Sequence, residues 1–408
     1  MPSLKRTWTK RVLIGAGLLA TVVVVPLVYA AVEAPAGYDN LTNGFESQAQ
    51  FDLDMATYAE QEAIPDGLGP VYNAQSCGEC HQTPVTGSSS QVTELRAASF
   101  DGFTYADHPG GSLINDRAIN AAIQERVLGA DNVTTFRVSL STLGDGFIEA
   151  VPDSEFTRIR NAQPSGMKGQ IINVPVLEAP GTTRIARFGW KGQHASLLSF
   201  AADAYVNEMG ITSPLQPTEN THDGVSVAAF DTVPDPEDAA TATNPFGPDI
   251  EAFVRFMRST KVPPRDTAVI NTPDVVAGGN LFTSIGCATC HTPTITTAPA
   301  GTSFNGGKFI VPAALADKII HPYSDLMLHD VGTGDGIIQN GGSSTRNKLR
   351  TPPLWGLRTR SRLMHDTLDL TRNNAILAHT NEAEPVIQNY INLSTTQKNQ
   401  LIAFINSL

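Results

Sequence analysis

Spare cysteine is what this sequence lacks first. Its 408 residues hold only four, Cys77, Cys80, Cys287 and Cys290, and all four fall within two Cys-x-x-Cys-His units, so none is left for structural disulfides. Charge is also sparse, at 17% of residues, and it sums to −12, which removes the basic surface that nucleic acid needs and excludes nucleic acid as a partner. Convincing runs of alternating polar and apolar residues are few, an absence that argues for a mainly α chain. Beyond Val32 no segment is apolar enough to span a bilayer. The chain is nonetheless 41% hydrophobic, enough to bury a large core over two domains and to exclude a disordered or fibrous protein.

What is present begins with an export signal. Lys5, Arg6, Lys10 and Arg11 precede an apolar run from Val12 to about Val32, and small residues follow where a signal peptidase would cut. The run is also long enough to stay in place as an N-terminal membrane anchor, because a spanning helix takes about 20 apolar residues. Pro26 and the Val28-Tyr29-Ala30 ending favour cleavage. Residues 1–32 are therefore expected to be a signal peptide or an anchor, and in both cases the globular body lies outside the cytoplasm, in the periplasm.

SCGECH at Ser76–His81 and SIGCATCH at Ser284–His291 put a histidine directly after the second cysteine of each pair. That order suits covalent haem attachment, in which two thiols form thioethers to the vinyl groups of one haem and the next residue swings beneath the ring to ligate iron. A zinc site built from both cysteine arms and a pair of redox-active disulfides are the competing readings. Zinc does not require a histidine immediately after both pairs, and a thioredoxin-like motif belongs at a strand-to-helix junction in a βαβ setting. Unprotected pairs would also oxidise outside the cytoplasm. The expectation is two covalently bound haem c groups, held by Cys77 and Cys80 and by Cys287 and Cys290, with His81 and His291 on the irons.

The Pro-rich KVPPRDT at Lys261–Thr267 divides the body into units of about residues 40–260 and 265–408, with one motif in each. Residues 213–248, rich in Pro, Thr, Asp and Ala, read as a long surface loop. Ahead of the second motif, Val275, Val276, Leu281, Phe282 and Ile285 recur at helical spacing behind Thr272 or Asp274 as cap. Leu401, Ile402, Phe404, Ile405 and Leu408 line one face of a closing helix behind a Ser/Thr start. Further helices are expected over 116–128, 194–208, 248–259 and 372–379. A helix into the haem motif and a helix closing the domain look like a cytochrome c fold. The expected class is mainly α: two cytochrome c-like domains, each with one covalently attached c-type haem.

With these motifs in hand, the chain resembles the dihaem oxidoreductases related to bacterial dihaem cytochrome c peroxidase and to the methylamine dehydrogenase maturation enzyme, in the branch described as peroxidase or thiol oxidoreductase. The matching stretches are GLGPVYNAQSCGECH, LGDGFIEAVPD, RFGWKGQHASLLSFAADAYVNEMGITSP, GCATCH, IHPYSDLMLHDVG and RTPPLWGLRTRSRLMHD, which cover most of the chain after the leader. The resemblance implies that the N-terminal haem meets hydrogen peroxide. The C-terminal haem would be six-coordinate, storing electrons received from a small redox protein.

The resemblance also implies residue roles. His379, fourteen residues beyond His365 of the His365-Asp366-Thr367 motif, matches the distal ligand of the C-terminal iron, and two imidazoles would lower its potential relative to a His/Met pair; a plain helix cap is the alternative. Trp190 in RFGWKG aligns with the family's tryptophan between the haems, a polarisable path for electrons, against ordinary core packing. Glu208 in NEMG aligns with the distal glutamate, which takes a proton from bound peroxide and returns it to the departing oxygen. Burial would raise its pKa to suit that exchange; a surface glutamate at a helix end is the alternative. Three places depart from the family: Ser199 and Phe200 stand near its distal glutamine, Lys191-Gly192-Gln193 replaces Asp-Gly-Arg, and Thr367 replaces a glycine.

The expected function is therefore a periplasmic dihaem peroxidase, with oxidation of a protein or organic substrate as a variant of the same chemistry. A plain electron-transfer cytochrome would need a permanent sixth ligand on the N-terminal haem, for which His108 in ADHPGGS is the candidate. A thiol oxidoreductase would need the same four sulfurs free. His194 and His329 read as propionate partners or packing residues, and His365 as a neighbour of the C-terminal haem that does not bind its iron. A calcium ion between the haems, a homodimer and the identity of the electron donor are left open.

Overall fold

Each Cys-x-x-Cys-His motif follows a helix that crosses another helix from much farther along the chain. The structure, a computed structural model, describes residues 31–233 and 237–408; the expected signal or anchor over 1–32 lies outside these but for its last two residues. Ahead of the first motif runs Gln48–Ala59, started by the Ser47 side chain, which accepts from the Gln50 amide. It packs on Pro248–Ser259, which has proline at its first turn and Asp249 and Glu251 where the helix dipole favours them. The contact is aromatic, with the Tyr58 and Phe256 ring centroids 4.7 Å apart and Phe51 5.3 Å from Phe256. The Arg255–Asp54 ion pair at 2.8 Å closes its rim.

The second motif repeats the arrangement. Pro273–Ser284 leads into it and crosses the closing helix Thr395–Ile405, which is started by a capping box between Ser394 and Gln397. The crossing occurs at Gly278, where a Cβ would lie only 2.0 Å from the Gln400 carbonyl oxygen. Phe282, Phe404 and Tyr323 fill the space beside it, with Phe282 and Phe404 5.2 Å apart. The helices expected around 272–285, 248–259 and the C-terminus are thus present, because each combines an amphipathic stripe with a local start signal.

The mainly α class does not hold. Helix accounts for 31% of residues and strand for 16%, the latter spread over many small sheets. The largest is built on Thr93–Phe100, which pairs antiparallel with Val133–Val138, Tyr105–Asp107 and Leu113–Ile114. Its sequence TELRAASF buries Arg96, Ala97 and Ala98 in succession, so a period of two is invisible. The helix expected at 116–128 is also replaced. Arg117–Ala118 pairs with Val71–Tyr72, and Ala121–Ile123 makes a single 3-10 turn in which the Asn120 side chain accepts from the Ala122 amide. At 194–208 the α-helix covers only Leu197–Ala204 and opens into a π-turn over Tyr205–Met209. The 213–248 loop contains one hairpin, Thr221–His222 with Val225–Ser226.

Two cores result. The larger joins residues from Ala34 to Trp355, and a smaller one around the second motif is built from Val275, Phe282, Tyr390, Leu401 and Phe404 among others. The start of the body is stitched into later parts: Val32–Glu33 runs parallel to Lys318–Ile320, and the Val262 amide in KVPPRDT donates to the Pro35 carbonyl. Residues 31–408 form one compact unit.

Candidate functional site

The two motifs close the same tight turn. Cys77–Cys80 is a single helical turn capped by the Ser76 hydroxyl, and the His81 amide donates to the Cys77 carbonyl at 3.0 Å. In the second, Cys287–Thr289 is a 3-10 turn, and the His291 amide donates to the Cys287 carbonyl, again at 3.0 Å. A haem fits both places. The cysteines and histidines of each motif keep part of their accessible surface. Burial nevertheless pushes the Cys77, Cys80 and Cys287 thiols up to about 12 and the His81 and His291 imidazoles down to about 4. Each motif thus sets two thiols and an imidazole, partly exposed yet strongly desolvated, on one turn. His81 Nδ1 is buried without a well-formed hydrogen bond, although the backbone of Leu140 and Ser88 is close by. Thiols held this high are poor nucleophiles, the reverse of a redox-active Cys-x-x-Cys pair.

At the second motif two imidazoles are held in the same way. His291 Nδ1 donates to the Tyr323 carbonyl at 3.0 Å, which leaves Nε2 as the free nitrogen. His379 follows the short helix Arg372–Leu377, and its Nδ1 donates to the Ala375 carbonyl at 2.7 Å, leaving its own Nε2 free in the same way. After burial, His379 is the largest influence lowering His291. Beside them His329 lies between Asp325 at 2.8 Å and Glu382 at 2.7 Å, with its ring 3.7 Å from the Cys290 sulfur. Burial opposes its charge, but Asp325 and its hydrogen-bonding neighbours push it up to about 12.

Trp190 stands on a bonded path between the motifs. Its indole Nε1 donates to the Val138 carbonyl at 2.9 Å, and the next residue, Ser139, donates from its hydroxyl to the Cys80 carbonyl at 2.7 Å. On the other side the Arg350 amide donates to the Trp190 carbonyl at 2.7 Å. Leu349 and Arg350 pair with His329 and Leu328, which returns the path to Cys290. His365 packs edge-on against the indole at 6.2 Å and hydrogen-bonds the Phe136 carbonyl.

Glu208 lies in the π-turn and is pinned to the segment that enters the first motif. The Asn73 and Ala74 amides both donate to its carbonyl, at 2.7 and 2.9 Å, and the Asn73 side chain donates to its carboxylate at 3.0 Å. Gly210 permits the docking: it has a φ of +69°, and a Cβ there would come within 2.6 Å of the Val71 carbonyl oxygen. Burial first, then the Glu94 carboxylate, pushes Glu208 up to about 8. After burial, Glu208 is the largest influence raising the Cys80 thiol.

The sequence departures find local explanations. Lys191 is a fully buried cation held by Asp335 at 3.1 Å and by the Thr345 and Lys348 carbonyls. The Ser199 hydroxyl is spent on Glu178 at 2.8 Å. Thr367 takes the left-handed conformation, with a φ of +64°, at the position where glycine is usual. His194 pairs with Asp203 at 3.0 Å. His108 has both ring nitrogens on carboxylates, Asp131 at 2.7 Å and Asp223 at 3.0 Å, and so presents no free nitrogen. Sequence reasoning missed Glu94, Asp325, Asp335 and Glu382: Asp335 and Glu382 meet partners distant in the chain, while Asp325 and Glu94 also pair locally, with His329 and Arg96, without any pattern that marks them.

A family model described as "Di-haem oxidoreductase, putative peroxidase" matches residues 112–408. The chain belongs to this family: it is a peroxidase-type oxidoreductase, and two haem groups come with the membership. The matched stretch contains Trp190, Glu208, His291 and His379 and begins after SCGECH. No curated protein matches the chain. Among solved structures, the hydrazine synthase of Kuenenia stuttgartiensis gives a TM-score of 0.41 at 12% identity, covering 98% of this chain and 100% of that one. A MauG-like protein associated with microbial copper homeostasis gives 0.38 at 15%, covering 94% of each. The diheme peroxidase BthA from Burkholderia thailandensis gives 0.42 at 13%, covering 93% of this chain and 95% of that one. The assignment rests on the family match alone.

Proposed function

We propose that this chain is an exported, periplasmic dihaem peroxidase that reduces hydrogen peroxide at the His81 site with electrons accepted from a small redox protein at the His291/His379 site. Cys77 and Cys80 would hold one haem by thioethers and Cys287 and Cys290 the other, which outside the cytoplasm keeps the cofactor from being lost. The observation that carries the reading is the inequality of the two sites. A second imidazole, His379, approaches His291, whereas an acid with a raised pKa, Glu208, is docked on the segment entering the His81 motif. The basic, apolar leader supports export.

When bound, the haem irons supply the redox chemistry, in which two electrons and two protons turn hydrogen peroxide into two waters. The protein supplies position and protons. His81 and His291 would hold the irons, and the Tyr323 carbonyl fixes the His291 ring. The Glu208 carboxylate, steadied by Asn73, accepts a proton from the near peroxide oxygen and returns it to the departing one, so that water leaves and not hydroxide. Trp190, bonded towards both motifs, lies on the route for electrons. Glu208→Gln keeps the shape and removes the base. With both haems attached and the resting optical spectrum retained, peroxide turnover should fall by ~10²–10⁴-fold, the usual contribution of a positioned acid–base group. Turnover within a few-fold of wild type contradicts the assignment of Glu208.

A further inference from the structure

The neighbour that perturbs Glu208 is itself held in place from two sides. Glu94 sits on Thr93–Phe100, directly across the sheet from Arg137 on Val133–Val138. The Arg96 guanidinium grips its carboxylate with both arms, at 2.8 and 3.1 Å, and Arg137 approaches it at 3.8 Å. Arg137 is anchored in turn by Asp335 at 2.8 Å, and the same aspartate holds Lys191, the residue after Trp190. Two arginines aimed at one carboxylate keep it ionised, whereas Glu208, whose carboxylate accepts from the Asn73 side-chain amide, is the member of the pair that keeps a proton.

Building on the reading of Glu208 as the peroxide site's acid–base group, we propose that Glu94 is its positioning residue. The ionised Glu94 carboxylate, clamped by Arg96 and Arg137, accepts a hydrogen bond from the protonated Glu208 carboxyl and sets the pH at which Glu208 gains and loses its proton.

The groups facing the pair are few. Glu94, Arg96 and Asn73 act on Glu208, with the Cys80 sulfur nearby. Arg96 and Arg137 act on Glu94, and Asp203 reaches Arg96 from the side of His194. Against its burial, Arg96 and Arg137 hold Glu94 below the ordinary carboxylate range, while burial and Glu94 push Glu208 to about 8. A base poised there takes a proton from peroxide more readily than an ordinary carboxylate and still returns it. Rate should therefore climb with pH towards that value, as Glu208 becomes ionised.

The test is a pH titration of the haem-loaded protein by infrared difference spectroscopy with isotope-labelled glutamate, run beside the pH profile of peroxide turnover. Asp145, Glu62 and Asp238 also hold protons high, so the Glu208 carboxyl band is the one lost in Glu208→Gln. In Glu94→Gln that band should titrate lower by ~1–3 units, the scale of one close charge or hydrogen bond, and the rising limb of the turnover profile should move with it. If Glu94→Gln fails to fold beneath its two arginines, Glu94→Asp, which keeps the charge but withdraws it by one methylene, should give a smaller shift in the same direction. An unchanged Glu208 titration in whichever variant folds overturns the proposal. Failure of the peroxide reading itself looks different: Glu208→Gln then keeps its turnover while the paired titration stays intact.

Discussion

At His329 the imidazole is charged for structural reasons, and the sign of its effect on stability follows directly. Asp325 and Glu382 hold the folded ring protonated up to about 12, against an ordinary imidazole value of about 6.5 in the unfolded chain. The folded state therefore binds this proton more tightly. The contribution is complete below about 6.5 and drains away as pH rises towards about 12. Urea midpoints measured across that range should fall with rising pH in the wild type, and His329→Gln should flatten that part of the curve; an equal slope in the variant would remove His329 as its source. The two Cys-x-x-Cys-His turns were legible in the sequence because the pattern occupies five consecutive residues, and each closes with the same bond from the histidine amide to the first cysteine. Glu382 beside His329, and Glu94 beside Glu208, were not, since each meets that partner only after the chain has folded.

Among the elements, helix crossings are decided by single small residues. The Pro273–Ser284 helix meets Thr395–Ile405 with no room for a side chain at Gly278, where the nearest atom would be a backbone oxygen that cannot turn aside. Gly278→Val should cost ~3 kcal/mol, the upper end for overpacking a close contact, read as a lowered denaturant midpoint. A variant as stable as wild type would mean that the helices do not cross there. The amphipathic helices were readable because their stripes and caps lie within one stretch of chain. The strands were not, because pairs such as Val71–Tyr72 with Arg117–Ala118 are two residues long and take their register from distant partners. Expecting a helix over 116–128 failed for that reason: a periodic apolar pattern yielded to sheet pairing and to the Asn120 turn. At Tyr205–Met209 the missed π-turn is what places Glu208 against the first motif.

In the whole molecule, two similar Cys-x-x-Cys-His turns are set in dissimilar surroundings, and a bonded path through Ser139, Val138, Trp190 and Arg350 runs between them. A buried line of alternating charge, Glu94, Arg137, Asp335 and Lys191, runs from the partner of Glu208 to the neighbour of Trp190. The proposed division of labour gives the His81 site to peroxide and the His291 site to electron delivery. The most direct measurement is low-temperature electron paramagnetic resonance, with optical spectra, of the oxidised and periplasmically matured protein before and after one-electron reduction and addition of peroxide. One low-spin haem with two imidazole ligands should appear and be lost in His379→Ala, alongside a second haem with a high-spin component that peroxide abolishes. Two low-spin haems that stay silent towards peroxide in both redox states would contradict the account.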